Sequence, residues 1–479
     1  MGSEITTADF HSSDFELFHQ KLREETKVLM EWFHSGRFDH SGHQCGLELE
    51  AWLMDGGCNP AAENRAFLEK LNHPLAVPEL SKFNFELNTL PQALEGHFIG
   101  KMHDDLQELW ILSREAAASI GCRILTAGIL PTVRDTMLNM TNISDSLRYS
   151  AMNREILELR KQKPLKIHIE GELDQLSITH CDVMAEAAAT SFQLHLQVSP
   201  DTAARAYNAA MILSAPSVAL AANSPYLFGK QLWEETRIPL FEQAVWVPAF
   251  TDKNGRIVSR VTFDAGYVRN SLLEPFLENL DGFPVILPVI SPDKPEKLSH
   301  ALLHNGTIWR WNRPLIGWNT DGNPHLRIEH RVQAAGPTIS DMVANAAWFY
   351  GAMLHLLSEP PGIELELPFE DARANFYNAS RLGLGAEVTW REGKRIRLSE
   401  LLVEELIPGA VRSLEKAGTE SRDIEYYLKG IVRERVVTGR TGAAWQKNFI
   451  NKHGKNFRSM TEQYYLNQQQ QKPVHEWTW

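Results

Sequence analysis

The chain has 479 residues, 43% of them hydrophobic and 23% charged, a composition that fits an ordinary globular protein and excludes a disordered tail or a fibre. Forty-eight basic against sixty acidic residues give a formal charge of -12, and the resulting field repels polyanions, which argues against a general nucleic-acid or anionic-membrane binder. Cys45, Cys58, Cys122 and Cys181 lie far apart without a Cys-x-x-Cys spacing, a pattern that suits a reducing compartment and resembles neither a disulfide framework nor a zinc ribbon.

From Met1 to His19 the chain carries Glu4, Asp9, Asp14 and Glu16, where a signal peptide needs a basic end and an apolar run, so a cytoplasmic location is expected. Phe15, Phe18, Leu22, Val28 and Leu29 recur at helical spacing and predict an amphipathic helix over Phe15–Phe33, followed by a hydrophilic turn from His34 to Gln44. Ile99–Ile120, Ser146–Lys161 and Asp341–Leu357 also read as helices with one polar side. The most apolar stretch, Ala209–Ala222, has only about two thirds of the length of a membrane span and is interrupted by Ser214, Pro216 and Ser217; it predicts a buried helix and a turn, and no membrane partner. Leu398–Lys429 is charged and helical, and Gln468–Gln471 leads into a polar tail expected to be mobile. The expected organisation is an N-terminal helical segment (1–44), a large α+β catalytic domain (45–397) and a helical C-terminal extension with its tail (398–479).

The informative signal is one strand design used four times. In Gly46-Leu47-Glu48-Leu49-Glu50-Ala51-Trp52-Leu53 a period of two places the leucines and Ala51 on one face, with Glu48 and Glu50 on the other. Phe83–Thr89 sets Phe83, Phe85 and Leu87 against Asn84, Glu86 and Asn88. Ser191–Val198 sets Phe192, Leu194, Leu196 and Val198 against Gln193, His195 and Gln197. Leu326–Val332 sets Leu326, Ile328 and Val332 against Arg327, Glu329 and Arg331.

Polar faces of antiparallel strands ordinarily meet water. Here they carry Glu, Asn, Gln, His and Arg, the side chains that bind metals and phosphate, in place of the Thr and Lys usual on solvated strands. Two carboxylates one strand period apart, about 6.5–7 Å, repel by roughly 2.5 kcal/mol at an effective dielectric near 20. If the four strands share a sheet, Glu48, Glu50, Glu86 and Glu329 must take up protons or be neutralised, and hard divalent cations with oxygen ligands do this best. Mg²⁺ is expected, with Mn²⁺ also suited because His195 adds a nitrogen. Arg327 and Arg331 then supply fixed positive charge for an anionic group bridging to the metals. Such a set describes a nucleoside-triphosphate site built without a glycine-rich loop. The chain contains no Gly-x-x-x-x-Gly-Lys-Ser/Thr, Gly-x-Gly-x-x-Gly, His-Glu-x-x-His or Gly-x-Ser-x-Gly. His40-Ser-Gly-His43-Gln-Cys45 lacks a fourth ligand and reads as a turn, and Trp309, Trp311 and Trp318 read as core more readily than as an adenine wall.

At these residues the sequence resembles the glutamate–cysteine ligase type 2 family of carboxylate–amine ligases. The likeness runs from about Gly46 to Glu387 and includes Gly46-Leu47-Glu48-Leu49-Glu50, Phe85-Glu86-Leu87-Asn88, Arg148-Tyr149, His195-Leu196-Gln197-Val198, Ala222-Asn223-Ser224-Pro225, Trp311-Asn312-Arg313-Pro314 and Ile328-Glu329-His330-Arg331. The resemblance implies a glutamine synthetase-like fold: a large curved antiparallel sheet with one polar catalytic face, helices on the other, and a helical C-terminal extension. It implies a reaction in which ATP phosphorylates the γ-carboxylate of glutamate and an amine, by default cysteine, displaces phosphate. Glu48, Glu50, Glu86, His195 and Glu329 would hold two or three Mg²⁺ ions. Arg331 and Arg237 would neutralise the transferred phosphoryl group or the substrate carboxylate, and Arg148, Gln197, Arg313 and Arg327 would hold substrate. The chain departs from the family pattern at Asn312, where Asp is common, and in Phe192–Gln197, where a Gly-x-His-x-His or Gly-x-His-x-Asn run is common, so the amine stays open. A metal-dependent phosphatase and a noncatalytic metabolite-binding relative remain as alternatives, and the oligomeric state is unspecified.

Overall fold

A computed structural model of the chain describes residues 5, 7–248, 250–251, 255 and 257–479. Among them, eight strands form one sheet: β1 (Gln44–Met54), β2 (Ala76–Pro78), β3 (Asn84–Asn88), β4 (Gln92–Ala93), β5 (Arg123–Leu125), β6 (Phe192–Val198), β7 (Asn312–Trp318) and β8 (Pro324–His330). Their order is β7-β8-β6-β1-β3-β2, with β4 and β5 pairing the two ends of β1, and every pairing is antiparallel. The four alternating segments read from the sequence are therefore β8, β6, β1 and β3, adjacent in the sheet.

The helices used below are α1 (Ser12–Ser35), α2 (Phe98–Ser119), α3 (Leu147–Leu159), α4 (Ala203–Leu220), α5 (Arg237–Ala244), α6 (Ile339–Ser358) and α7 (Phe457–Gln469). α1, α2, α3 and α6 fall where the apolar periodicity predicts them. α4 differs: it runs unbroken through Pro216 to Leu220, with no turn at Ser214–Ser217. A proline inside a helix costs about 3 kcal/mol. From Ala206 to Leu220 every residue of α4 is buried, and that tertiary packing outweighs the local penalty. No helix among the described residues is long and apolar enough to cross a membrane.

The apolar face of the sheet packs on α4 and α6. Tyr350 of α6 donates its hydroxyl to the carbonyls of Gly46 (3.0 Å) and His195 (3.2 Å), and Phe349 stacks on His330 at 4.2 Å. Burial lowers the His330 pKa to about 3, so this imidazole is neutral, and it hydrogen-bonds Asn312 Oδ1 at 2.7 Å. Asn312 also donates to Ser214 of α4 at 2.9 Å. Its side chain thus faces the helices, and the departure from the family's Asp is a matter of the core and not of a metal contact. The opposite face is covered at β6: every residue of this strand is buried, including Gln193, His195 and Gln197. That overturns the solvated-face alternative for this strand.

Both chain ends are fastened to this framework. Glu25 of α1 is buried and accepts from the backbone of His300 (2.8 Å) and Ala301 (2.7 Å), satisfying free N–H groups at the start of the helix Ser299–Gly306. The tail expected to be mobile is packed. Gln468 is buried and donates to Thr126 Oγ1 and to the carbonyl of Pro337, and the N–H of Val474 donates to Asp341 Oδ2 at 3.0 Å. Glutamine-rich composition suggested solvation; the Gln468 amide instead bonds to Thr126 and Pro337 of the core. Asp341 is also bridged by Arg435 at 2.6 Å, with both side chains buried.

Removing one partner of a buried pair leaves an uncompensated charge, so Asp341→Ala is expected to lower unfolding stability by about 3–5 kcal/mol. Urea denaturation monitored by tryptophan fluorescence measures it, and a loss below about 1 kcal/mol would show that the tail is not anchored through this pair.

Candidate functional site

Antiparallel register decides which polar side chains meet. Glu50 of β1 lies opposite Glu86 of β3, and His195 of β6 lies opposite Glu329 of β8. The five positions expected to bind metal converge, but as two groups. Glu48, His195 and Glu329 form one, and Glu50 and Glu86 form the other together with Glu79; within each group the candidate ligand atoms lie within 4.8 Å of one another.

Sequence reasoning missed Glu79. It follows β2 directly, in the short link to β3, where no alternation marks which side a residue faces. Glu186, in the helical turn Met184–Ala188, was also missed; its carboxyl is pushed well above the ordinary range by burial and by Glu79 and Glu50. Tyr149, at the start of α3, donates to the Pro78 carbonyl at 3.3 Å and is raised by burial and then by Glu79. Arg148 precedes it on the same helical turn, and its charge acts on the Tyr149 hydroxyl.

The two groups differ in charge. Burial opposes ionisation of Glu329, yet Arg313, Arg331 and His195 together hold its pKa far below the usual carboxylate value. Burial likewise opposes ionisation of Glu48, and His195 reverses the sign, leaving it lowered. His195 Nε2 lies 2.9 Å from Glu48 Oε1 and 3.9 Å from Glu329 Oε1, although neither ring nitrogen has a partner in hydrogen-bond geometry among the described residues. In the second group, burial and then Glu48, Glu79 and Glu50 push Glu86 well above the ordinary value. Glu79 rises from 4.5 to about 7, through burial and then Glu50. Glu50 is raised by burial against the opposing charge of Arg331, and its oxygens accept from Ser191 N (2.6 Å), Ser191 Oγ (2.8 Å) and Gln193 Nε2 (2.8 Å).

The arginines divide into those that face the groove and those that brace it. Arg331 is 3.3 Å from Glu329, bonds to Gln193 Oε1, and is raised because burial is outweighed by Glu329, Glu50 and Glu48; it stands between the two groups. Arg313, expected to hold substrate, instead forks onto Glu329 through Nε (2.6 Å) and Nη2 (2.9 Å), because β7 pairs it directly opposite Glu329. Arg237, expected at the phosphoryl group or substrate carboxylate, is buried at the first turn of α5. There it donates to the Val332 carbonyl and lies 5.5 Å from the centre of the Trp311 ring. It braces the end of β8, and its charge reaches Glu50 without touching it.

A cavity of about 650 Å³ opens beside Glu48 and His195 and is lined by Gly46, Gln197, Arg327 and Trp318. Arg327 and Gln197 thus face open space, and Gln197 also donates to Asp39 at 3.3 Å. Trp311 is core, its indole N–H bonded to Glu242 at 2.9 Å, while Trp318 lines the cavity. His40 and His43 diverge to Asp201 and the Gln197 carbonyl, in agreement with a turn.

Residues 44–473 match the family model described as glutamate-cysteine ligase family 2. Among solved structures, a glutamate–cysteine ligase of Francisella tularensis in complex with AMP superposes with a TM-score of 0.58 at 13% identity, covering 90% of this chain and 89% of that one. A bifunctional glutathione synthetase of Pasteurella multocida superposes with a TM-score of 0.51 at 11% identity, covering 93% of this chain and 54% of that one. At these identities the likeness is one of fold. No curated protein matches the sequence. With a model spanning almost the whole chain, and with the glutamate-bearing strands adjacent in the expected α+β sheet, the chain belongs to glutamate–cysteine ligase family 2.

Proposed function

We propose that the protein is an ATP-dependent ligase that joins the γ-carboxylate of glutamate to an amine, cysteine by default, through an acyl phosphate. The observation that carries this reading is Arg331, held between two three-residue clusters of metal-type ligands that share one sheet face. Family membership supports a carboxylate–amine ligase, and the polar groove supports a phosphoryl-transfer variant of that chemistry.

The residues fit divalent cations. Each cluster brings three ligand atoms within 4.8 Å, and all three carboxyls of the second are raised, by burial first and, at Glu79 and Glu86, by the neighbouring carboxylates. Glu48, His195 and Glu329 would hold one ion, and Glu50, Glu79 and Glu86 another; Mg²⁺ suits the oxygen-rich set, and Mn²⁺ the one with a histidine. When bound, such ions supply positive charge to phosphoryl oxygens and to the attacked carboxylate. The chain does the rest by position. The cavity beside Glu48 would take the nucleotide, with Arg327 toward its phosphates and Gln197 and Trp318 lining the wall. Arg331 would stabilise the charge spread over the transferred group. Arg148, on the side of Glu79 and Tyr149, would meet the amino-acid substrate. Arg313 and Arg237 act as positioning residues, one fixing the Glu329 carboxylate and the other the end of β8.

ADP release is expected to require both glutamate and an amine, and a screen of all twenty amino acids as acceptors identifies the amine. Turnover of ATP indifferent to every amino acid, or release of phosphate from a monoester without nucleotide, would overturn the reading.

Glu86→Gln removes charge at nearly constant shape. It is expected to leave the melting temperature of the metal-free protein unchanged or higher, and to weaken metal-dependent nucleotide binding by about tenfold or more in calorimetry. A variant that unfolds while activity per folded molecule stays intact would make Glu86 structural.

Glu79 binds its proton more tightly in the folded chain than in the unfolded one. Its contribution to stability is therefore complete below pH 4.5 and is lost as pH rises toward about 7. The metal-free protein should lose melting temperature over that window, and Mg²⁺ or Mn²⁺ should restore it increasingly as pH rises. A metal-induced shift that shrinks with pH would contradict the ligand assignment.

A further inference from the structure

A second cavity, of about 600 Å³, lies where α3 ends and the chain enters the hairpin of Leu165–Glu170 and Gln175–His180. Arg160, Lys161, Lys163 and Lys166 line it, with Pro164, Trp246 and Pro248. Four cations in so short a stretch run against the net charge of -12, and among the described residues none of them is in an ion pair.

The C-terminal end of α3 favours nearby positive charge, which accounts for the sign of the lysines. It does not account for Arg160. That side chain is only 4% exposed; Nη2 donates to the Lys163 carbonyl at 2.7 Å, and Nη1 has no partner among the described residues. A buried guanidinium with an unanswered donor is a site for an anion, because arginine presents paired N–H groups to phosphate or carboxylate oxygens. Trp246 supplies the other half. It is 45% exposed while its neighbours Val245 and Val247 are each 1% exposed, so the indole stands out beside the cavity and not in the core. An exposed indole near Pro164 and Pro248 offers a flat apolar surface next to the cations.

We propose that this cavity binds a phosphorylated, ring-bearing small molecule of the nucleoside monophosphate class, with its phosphate at Arg160, Lys163 and Lys166 and its ring on Trp246. The proposal does not rest on the ligase reading, since it uses none of the groove residues. The placement connects the two regions, however. α3 begins with Arg148 and Tyr149 beside the carboxylate clusters and ends at Arg160, about 20 Å away along the helix. α5 begins at Arg237 and ends next to Trp246, and its Gln243 accepts from the His168 N–H of the hairpin at 2.8 Å. A ligand here would sit at the far ends of two elements that frame the groove.

The test is calorimetric titration of the full-length protein with AMP and, separately, with inorganic phosphate, in chelator so that metal-dependent binding at the groove is silent. Saturable one-to-one binding of AMP is expected, about tenfold tighter than phosphate. The pair Lys163→Glu and Lys166→Glu should weaken both probes by about tenfold or more, and Trp246→Ala should reduce AMP to the level of phosphate with phosphate unchanged. These positions are exposed, so the variants keep the fold where Arg160→Gln could lose it. Absence of saturable binding by either probe would overturn the proposal. So would AMP binding no tighter than phosphate, or AMP binding undiminished in the lysine pair variant.

Discussion

Carboxylates crowded onto one largely buried face are the constraint on which the rest of this structure depends. Glu48, Glu50, Glu79, Glu86 and Glu329 gather on one side of the sheet, Glu86 and Glu329 buried and the other three half-buried, where repulsion is poorly screened. The protein resolves the conflict differently at the two clusters. Around Glu329 and Glu48, Arg313, Arg331 and His195 keep the acids ionised. Around Glu79 and Glu86, burial and the neighbouring carboxylates push both carboxyls up, Glu79 to about 7. One cluster is thus charged in advance, while the other is held short of full ionisation.

The crowding persists because the opposite face of the sheet leaves it no alternative. Sliding β1 by one residue would carry Glu48 and Glu50 into the apolar layer and Leu47 and Leu49 out of it. Packing of the leucines and phenylalanines on α4 and α6 forbids that slip, and Tyr350 pins β1 and β6 together from the helical side through the Gly46 and His195 carbonyls. Hydrophobic burial on one face therefore stabilises electrostatic stress on the other.

Arginine serves this arrangement in several capacities. Arg331 stands in the groove; Arg313 fixes a carboxylate; Arg237 ties down the backbone at the end of β8; Arg435 joins the C-terminal region to α6 through Asp341. Sequence alone could not separate these roles, because each guanidinium is equally able to meet a phosphate, a carboxylate or a carbonyl, and only its neighbours decide.

Alternation within β1, β3, β6 and β8 was legible from the chain by itself, since a period of two fixes which side chains share a face whatever the strand pairs with. So were the candidate ligands Glu48, Glu50, Glu86, His195 and Glu329, which the sheet brings together, and helices such as α1 and α6. The division of the acids into two clusters was not legible, nor was the presence of Glu79 in one of them: cross-strand register and the course of a link without periodicity are set by contacts between distant segments. The same reason underlies the persistence of α4 through Pro216, the burial of Gln468, and the placing of Asn312 among the helices. Local pattern determined what each strand could offer; tertiary packing decided which offers met, because distance between residues remote in sequence exists only once the core has closed.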